Sequence, residues 1–210
     1  MHLITPTLIA FFITAGVVTI SPGLDTALVL RTAAGEGWRQ AALAGLGIAL
    51  GCLAWATLVA AGLGALLIAS RLAYDVLRFA GAAYLIWMAC KLLRRPRRTL
   101  RTDLPIARTG QTAFARGALT NLLNPKVGVF YVSFLPQFVP SGAPVGPYVL
   151  MLGLIHALQG VIWFACLIMA TRSLSRWLQR PGVVTWLDRA TGGLFLAFGI
   201  GLALESRHTP

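Results

Sequence analysis

The chain has 210 residues, 57% of them hydrophobic and only 11% charged, with 18 Lys and Arg against 6 Asp and Glu and a formal net charge of +12. An average soluble domain is about 25% charged, so this composition excludes an ordinary water-soluble globule. It points to a chain embedded in a membrane.

Six apolar blocks, each about 20 residues or longer, can cross a bilayer. They predict an all-α integral membrane protein with spans at 4–30, 40–68, 72–93, 113–139, 146–171 and 184–204. No Lys or Arg precedes the first block, unlike the basic start of a cleaved signal peptide, so it is expected to be the first span. The gaps after the first, third and fifth blocks hold two basic residues (Arg31, Arg39), eight (Lys91 to Arg116) and four (Arg172, Arg176, Arg180, Arg189). The opposite side holds Arg71, Arg78 and Arg207, while Lys126 stands within the fourth block. Fourteen against three is a positive-inside imbalance. It places those gaps in the cytoplasm, both termini outside, and the chain as a multi-pass protein of the cell inner membrane. The run "RRPRRTLRTDLPIARTG" (94–110) then reads as a cytoplasmic loop on anionic headgroups, at about 1 kcal/mol per basic residue, and not as a nucleic-acid-binding arm. Cys52, Cys90 and Cys166 lie in apolar blocks without motif spacing, so neither a disulfide framework nor a metal site is implied.

The two halves resemble each other. "GLGIALGCLAW" (45–55) aligns with "GLIHALQGVIW" (153–163), and "RFAGAAYLIW" (78–87) with "RATGGLFLAF" (189–198). Pro22 and Pro125 stand in corresponding places, 103 residues apart. Residues 1–93 and 112–210 are therefore predicted to be three-helix repeats joined by the basic loop 94–111. An odd number of spans per half makes the second repeat inverted. Inverted repeats with interrupted first helices are the sequence signature of a transporter's binding site.

The interruptions are "TISPGLDTALVL" (19–30) and "NLLNPKVGVFYVSF" (121–134). Pro22 lies nine residues before Arg31, and Pro125 nine after Arg116. If both arginines mark one boundary, each proline lies about 13 Å inward at 1.5 Å per residue, close to the middle of a core about 30 Å thick. Proline within a helix removes a backbone hydrogen bond. The freed carbonyls must then be satisfied by protein or line a wet cavity. Gly23 permits further unwinding, and Ser21, Asn121 and Asn124 are suited to orphaned backbone groups or to a solute. A purely structural kink patched by the asparagines is the plain alternative. Asp25 and Lys126 are the acid and the base expected well inside spans, and intramembrane charges default to function with a named partner. They suit either a structural ion pair or a zwitterion, whose carboxylate would sit near Lys126 and whose ammonium would sit near Asp25.

Other residues carry weaker signals. His156, mid-span, suits a proton relay or a hydrogen bond to a neighbouring helix. Gln137 and Gln159 suit a polar path or helix bridging. Asp75 is expected to pair with Arg71 and Arg78 at helical spacing. Gly47 and Gly51 form a small-xxx-small pair for close helix packing.

The stretches "SPGLDTALVLRTAAGEGWRQAALAGLGIALG" (21–51), "FAGAAYLIWMACKLLR" (79–94) and "GALTNLLNPKVGVFYVSFLPQFV" (117–139) make the chain similar to the lysine exporter (LysE/RhtB) superfamily of bacterial amino-acid efflux proteins. The Asn-Pro-Lys and Leu-Pro-Gln-Phe elements are its most specific part. Leu24 departs from the family, which usually has a second proline there. The resemblance implies six spans, no cofactor, and export of neutral or basic amino acids or related metabolites, driven by the proton gradient or by exchange. A divalent metal-cation exporter of a related inverted-repeat type is the alternative. It would need clustered Asp, Glu, His or Cys ligands, which the spans do not supply at compatible spacing. A membrane enzyme would need a nucleophile beside a base, and no such arrangement is found. Both a monomer and a homo-oligomer stay open.

Overall fold

The computed structural model describes residues 4–21, 23–69, 71–96, 110–140, 142–169 and 180–204. Among these the chain is helical throughout. In order come α1 (Ile4–Ile20), α2 (Leu24–Gly35), α3 (Trp38–Ala69), α4 (Arg71–Arg94), α5 (Gly110–Leu122) and α6 (Pro125–Val129). A π-helical turn (Phe130–Phe134) and a 3₁₀ turn (Leu135–Phe138) follow, then α7 (Val145–Met169) and α8 (Pro181–Leu204).

Both interruptions fall where the sequence puts them. Between α1 and α2 the axis bends by 51°. Gly37, at φ +92, turns the chain from α2 into α3 in a conformation that favours glycine. The second interruption differs from the expected kink inside a helix. Pro125 is the first residue of α6, and Asn124 is its N-cap. Proline's missing N–H costs little at that position. Further on, Pro136 cannot donate to Val132 O, and here the backbone leaves α geometry for the π and 3₁₀ turns.

Three described helical stretches are long and apolar enough to cross a membrane: Trp38–Gly62, Val145–Met169 and Pro181–Gly201. Pro6–Ile20 with Leu24–Gly35 makes a fourth if the bent pair is one span. The other two expected spans do not stand among them. Charges at its two ends (Arg71, Asp75, Arg78, Lys91 and Arg94) lower the apolarity of α4. The stretch 113–139 is split into short pieces of changing helical type. Most of the basic loop expected at 94–111 lies outside the described residues, as do Pro22 and the side chains of Arg71, Asp75 and Arg78.

α3 is the central helix and packs along both α5 and α7, while α4 pairs mainly with α8. The second expected span thus lies beside the fifth, and the third beside the sixth. α3 and α5 touch backbone to backbone: a Cβ on Gly47 would meet the carbonyl of Phe114, and one on Gly117 would meet the carbonyl of Ala44. Gly47 and Gly51 therefore serve the close packing expected of them. Phe11, Phe130, Tyr131, Phe134, Leu152 and Phe195 lie in the main buried cluster. Phe12, Ile13, Leu58, Ile162 and Trp186 point outward, an arrangement suited to hydrocarbon.

Candidate functional site

The site forms where the two interruptions meet, and each supplies what the other lacks. Proline at position 22 has no N–H, so Val18 O loses its helical donor. Ser21 O, at the end of α1, is also beyond the helical ladder. Lys126 Nζ, from the second interruption, donates to both carbonyls at 3.0 Å each. In return Asp25, from the first turn of α2, accepts from two asparagines of the second half. Asn121 Nδ2 donates to Asp25 Oδ2 at 2.8 Å, and Asn124 Nδ2 to Asp25 Oδ1 at 3.3 Å. Asn124 also caps its own helix, its Oδ1 accepting from Lys126 N at 3.1 Å. A cation on carbonyls and amides on a carboxylate are charge-assisted bonds, stronger than neutral ones.

Two hollows flank this junction. The smaller, about 40 Å³, is lined by Asp25, Thr26, Cys52, Asn121 and His156 on one side of the break. That volume holds water rather than a metabolite. The larger, about 210 Å³, lies against α4 and α8 and is lined by Met88, Lys91, Leu92, Arg95 and Thr191. Ser21, Gly23, Asn124 and Lys126 line both hollows and so form the partition between them. Pro125 lines the larger hollow.

Asn121 is fully buried. Its Nδ2 faces Asp25 and lies 3.5 Å from Cys52 Sγ, while its Oδ1 has no hydrogen-bond partner. That oxygen packs against bare backbone, since a Cβ on Gly51 would sit 2.6 Å from it. The two halves are also tied at one level beyond the break. Arg116 Nη2 of α5 bonds Thr32 Oγ1 and Glu36 Oε1, each at 2.9 Å, at the end of α2. Thr32 is ten residues after position 22, and Arg116 is nine before Pro125. The two interruptions therefore lie at matching height relative to this tie.

His156 lines the smaller hollow and its Nδ1 is 3.0 Å from Tyr131 OH, the bond to a neighbouring helix that was one of its two readings. Gln159 bridges helices, donating to Phe12 O at 3.0 Å. Gln137 donates to Ser133 O at 2.7 Å, within the irregular turns. An aromatic stack runs on from His156. Phe130 lies 4.9 Å from the imidazole centroid and 5.1 Å from Phe134, which lies 3.8 Å from Phe198 and 5.0 Å from Phe138.

Sequence reasoning missed two polar residues of α8. Asp188 is fully buried and Thr191 nearly so. Thr191 Oγ1 bonds Ser21 Oγ directly, tying α8 to the first interruption. Asp25 is thus not alone as an acid inside the helical body. Arg189 follows Asp188 near the start of the sixth block, which gives the pair the look of a span boundary. The signal was helical spacing, since Asp188, Thr191 and the buried Phe195 share one face of α8. Among the described residues no three His, Cys, Asp or Glu converge as a metal-holding group.

The LysE type translocator profile matches residues 16–206, which include both interruptions. The chain belongs to the LysE type translocator family. Its relatives align over nearly their whole length. A homoserine/homoserine lactone efflux protein of Salmonella typhi is 30% identical, over 95% of this chain and 96% of that protein. An uncharacterized membrane protein of Vibrio cholerae is 31% identical, over 93% and 95%. A threonine efflux protein of Escherichia coli K12 is 28% identical, over 94% and 100%. No solved structure matches the chain. Membership of the LysE type translocators makes this a multi-pass membrane transporter.

Proposed function

We propose that this translocator is a secondary exporter of amino acids or closely related small metabolites across the cytoplasmic membrane. The observation that carries the reading is the reciprocal bridging of the two interruptions around a hollow, with Asp25 and Lys126 each held by the opposite half. The naming of relatives for homoserine and threonine efflux supports the cargo class. In this reading the cargo's ammonium takes over Asp25 from the two asparagine amides. Its carboxylate is drawn to Lys126, and Ser21, Gly23 and Asn124 with the bends at Pro22 and Pro125 shape the passage. The two halves act as inverted three-helix repeats, six spans in all, that rock about the junction. The basic loops face the cytoplasm and its anionic headgroups, and both termini face outward. The aromatic stack from Phe130 to Phe138 closes the far side. A proton on Asp25 or His156 competes with the cargo's ammonium and so couples efflux to the proton gradient.

Uptake of labelled L-threonine and L-homoserine into everted membrane vesicles tests this. Lys126→Gln should abolish uptake and Asp25→Asn should lower it about 10- to 100-fold, both at wild-type membrane abundance, and normal rates in both would reject the assignment. Uptake indifferent to an imposed pH gradient would reject the proton step alone.

A further inference from the structure

His156 is buried in α7 and lines the smaller hollow together with Asp25, Cys52, Asn121 and Lys126. Its Nδ1 is turned to the Tyr131 hydroxyl at 3.0 Å, so Nε2 is the ring nitrogen left to serve the hollow. Successive residues of an α-helix point about 100° apart. Phe130 and Tyr131, at the start of the π turn, nevertheless both touch the imidazole, at 4.9 and 5.5 Å between centroids. Such turns recur at functional sites, and here two neighbouring rings seat one imidazole.

The sense of the Tyr131–His156 bond follows from what surrounds the phenol. If Nδ1–H donated to the phenol oxygen, the phenol proton would be left with the neighbouring Cys52 sulfur. Sulfur is a weak acceptor, and this one already takes Asn121 Nδ2 at 3.5 Å. If the phenol donates to Nδ1, its proton has the better acceptor. The ring is then neutral and carries its one hydrogen on Nε2. An imidazolium would make Nδ1 a donor and push the phenol proton back onto the sulfur. The titratable groups that share these surroundings are Asp25 from α2, Cys52 from α3, Lys126 from α6 and Tyr131 from the π turn.

We infer that Tyr131 is a positioning residue that holds His156 as a neutral Nε2–H donor, and that this donor binds the cargo's carboxylate. The inference rests on the exporter reading and deepens it. At about 40 Å³ the hollow has room for water on Nε2, and the carboxylate replaces that water when the hollow widens around cargo. A neutral N–H needs an acceptor, and the carboxylate is the part of a zwitterion that accepts, since Asp25 in the same lining takes the ammonium. The competing proton then belongs to Asp25, and His156 carries none.

Everted vesicles containing the full chain provide the test, with labelled L-threonine as probe. His156→Leu should raise KM about tenfold, the scale of one hydrogen bond to a charged group, with kcat held within about threefold. His156→Gln, whose amide still donates, should keep KM within about threefold of wild type and respond to an imposed pH gradient as wild type does. Inhibition by 1-amino-2-propanol, which is threonine without its carboxylate, should be the same in wild type and in His156→Leu. Tyr131→Phe should raise KM about two- to threefold, because both tautomers are then populated. In the His156→Gln background it should add nothing, since no tautomer is left to set. Should His156→Leu fail to reach the membrane, the cycle of His156→Gln with Tyr131→Phe decides alone. An unchanged KM in His156→Leu, or equal weakening of threonine and 1-amino-2-propanol, would overturn the carboxylate contact. A Tyr131→Phe effect that persists beside His156→Gln would overturn the positioning role. Loss of the pH-gradient response in His156→Gln would give the proton to His156 and overturn the neutral donor. Each of these leaves the exporter reading intact. Wild-type vesicles that accumulate neither L-threonine nor L-homoserine would overturn the exporter reading and this inference together.

Discussion

The two interruptions solve one problem in opposite ways. The second is capped from within: Asn124 accepts from Lys126 N, Asn124 O accepts from Gly128 N, and Pro125 occupies the one place in a helix where proline costs little. The first has no such device. Gly23 offers no side-chain cap, and the carbonyls of Val18 and Ser21 depend on a lysine more than 100 residues away in sequence. One break is built to stand alone, and the other holds its shape only while the halves are together. Separating the halves would cost the first break its donor and leave the cap of the second intact.

The comparison can be broken most severely at Lys126. Lys126→Met keeps the apolar stem but deprives two carbonyls of their donor, at about 1–3 kcal/mol for each buried group left unsatisfied. Export should vanish and the melting temperature of the purified protein should fall, with the loss centred on the α1–α2 bend in hydrogen exchange. Asp25→Asn comes next. It replaces an ionised acceptor of two amides with a neutral one, so export should fall by about 10- to 100-fold while the protein still reaches the membrane, as read by vesicle uptake and immunoblot. Gly51→Ala drives a methyl into Asn121 Oδ1. Overpacking of this kind costs about 1–3 kcal/mol, and should lower the melting temperature and turn the Asn121 amide away from Asp25. Asn124→Ala has the smallest effect of the four on stability, about 1 kcal/mol for a lost N-cap. It sharpens the contrast nonetheless: the first half should feel it only through the lost bond to Asp25, and a Lys126→Met loss confined to the second half would reject the idea of a break served from across the junction.

Much of this arrangement is legible in the sequence. Proline, glycine and asparagine inside apolar runs mark both breaks, the helix ends fall within a few residues of the expected block limits, and equal distances to Arg31 and Arg116 put the breaks at one height. The partnership of Asp25 and Lys126 was legible only as proximity. What each side chain reaches depends on helix rotation and on backbone carbonyls, which have no letter in a sequence. A carbonyl orphaned by Pro22 can be inferred, but not that Lys126 crosses to fill it. Thr191 and Asp188 were missed for a related reason. A hydroxyl or a carboxyl close to a helix end reads as boundary until a neighbouring element is seen to bury it.

The glycine contact between α3 and α5 has a mechanical consequence. Two helices that meet through bare backbone have no side chains to re-pack, so they cannot slide past each other without losing contact outright. With α7 on its other flank, α3 makes a stiff chassis. α4 and α8 are bound chiefly to each other, and the Ser21–Thr191 bond latches α8 to the first break. Through that bond between two hydroxyls, the α4–α8 pair is fastened to the break beside the chassis.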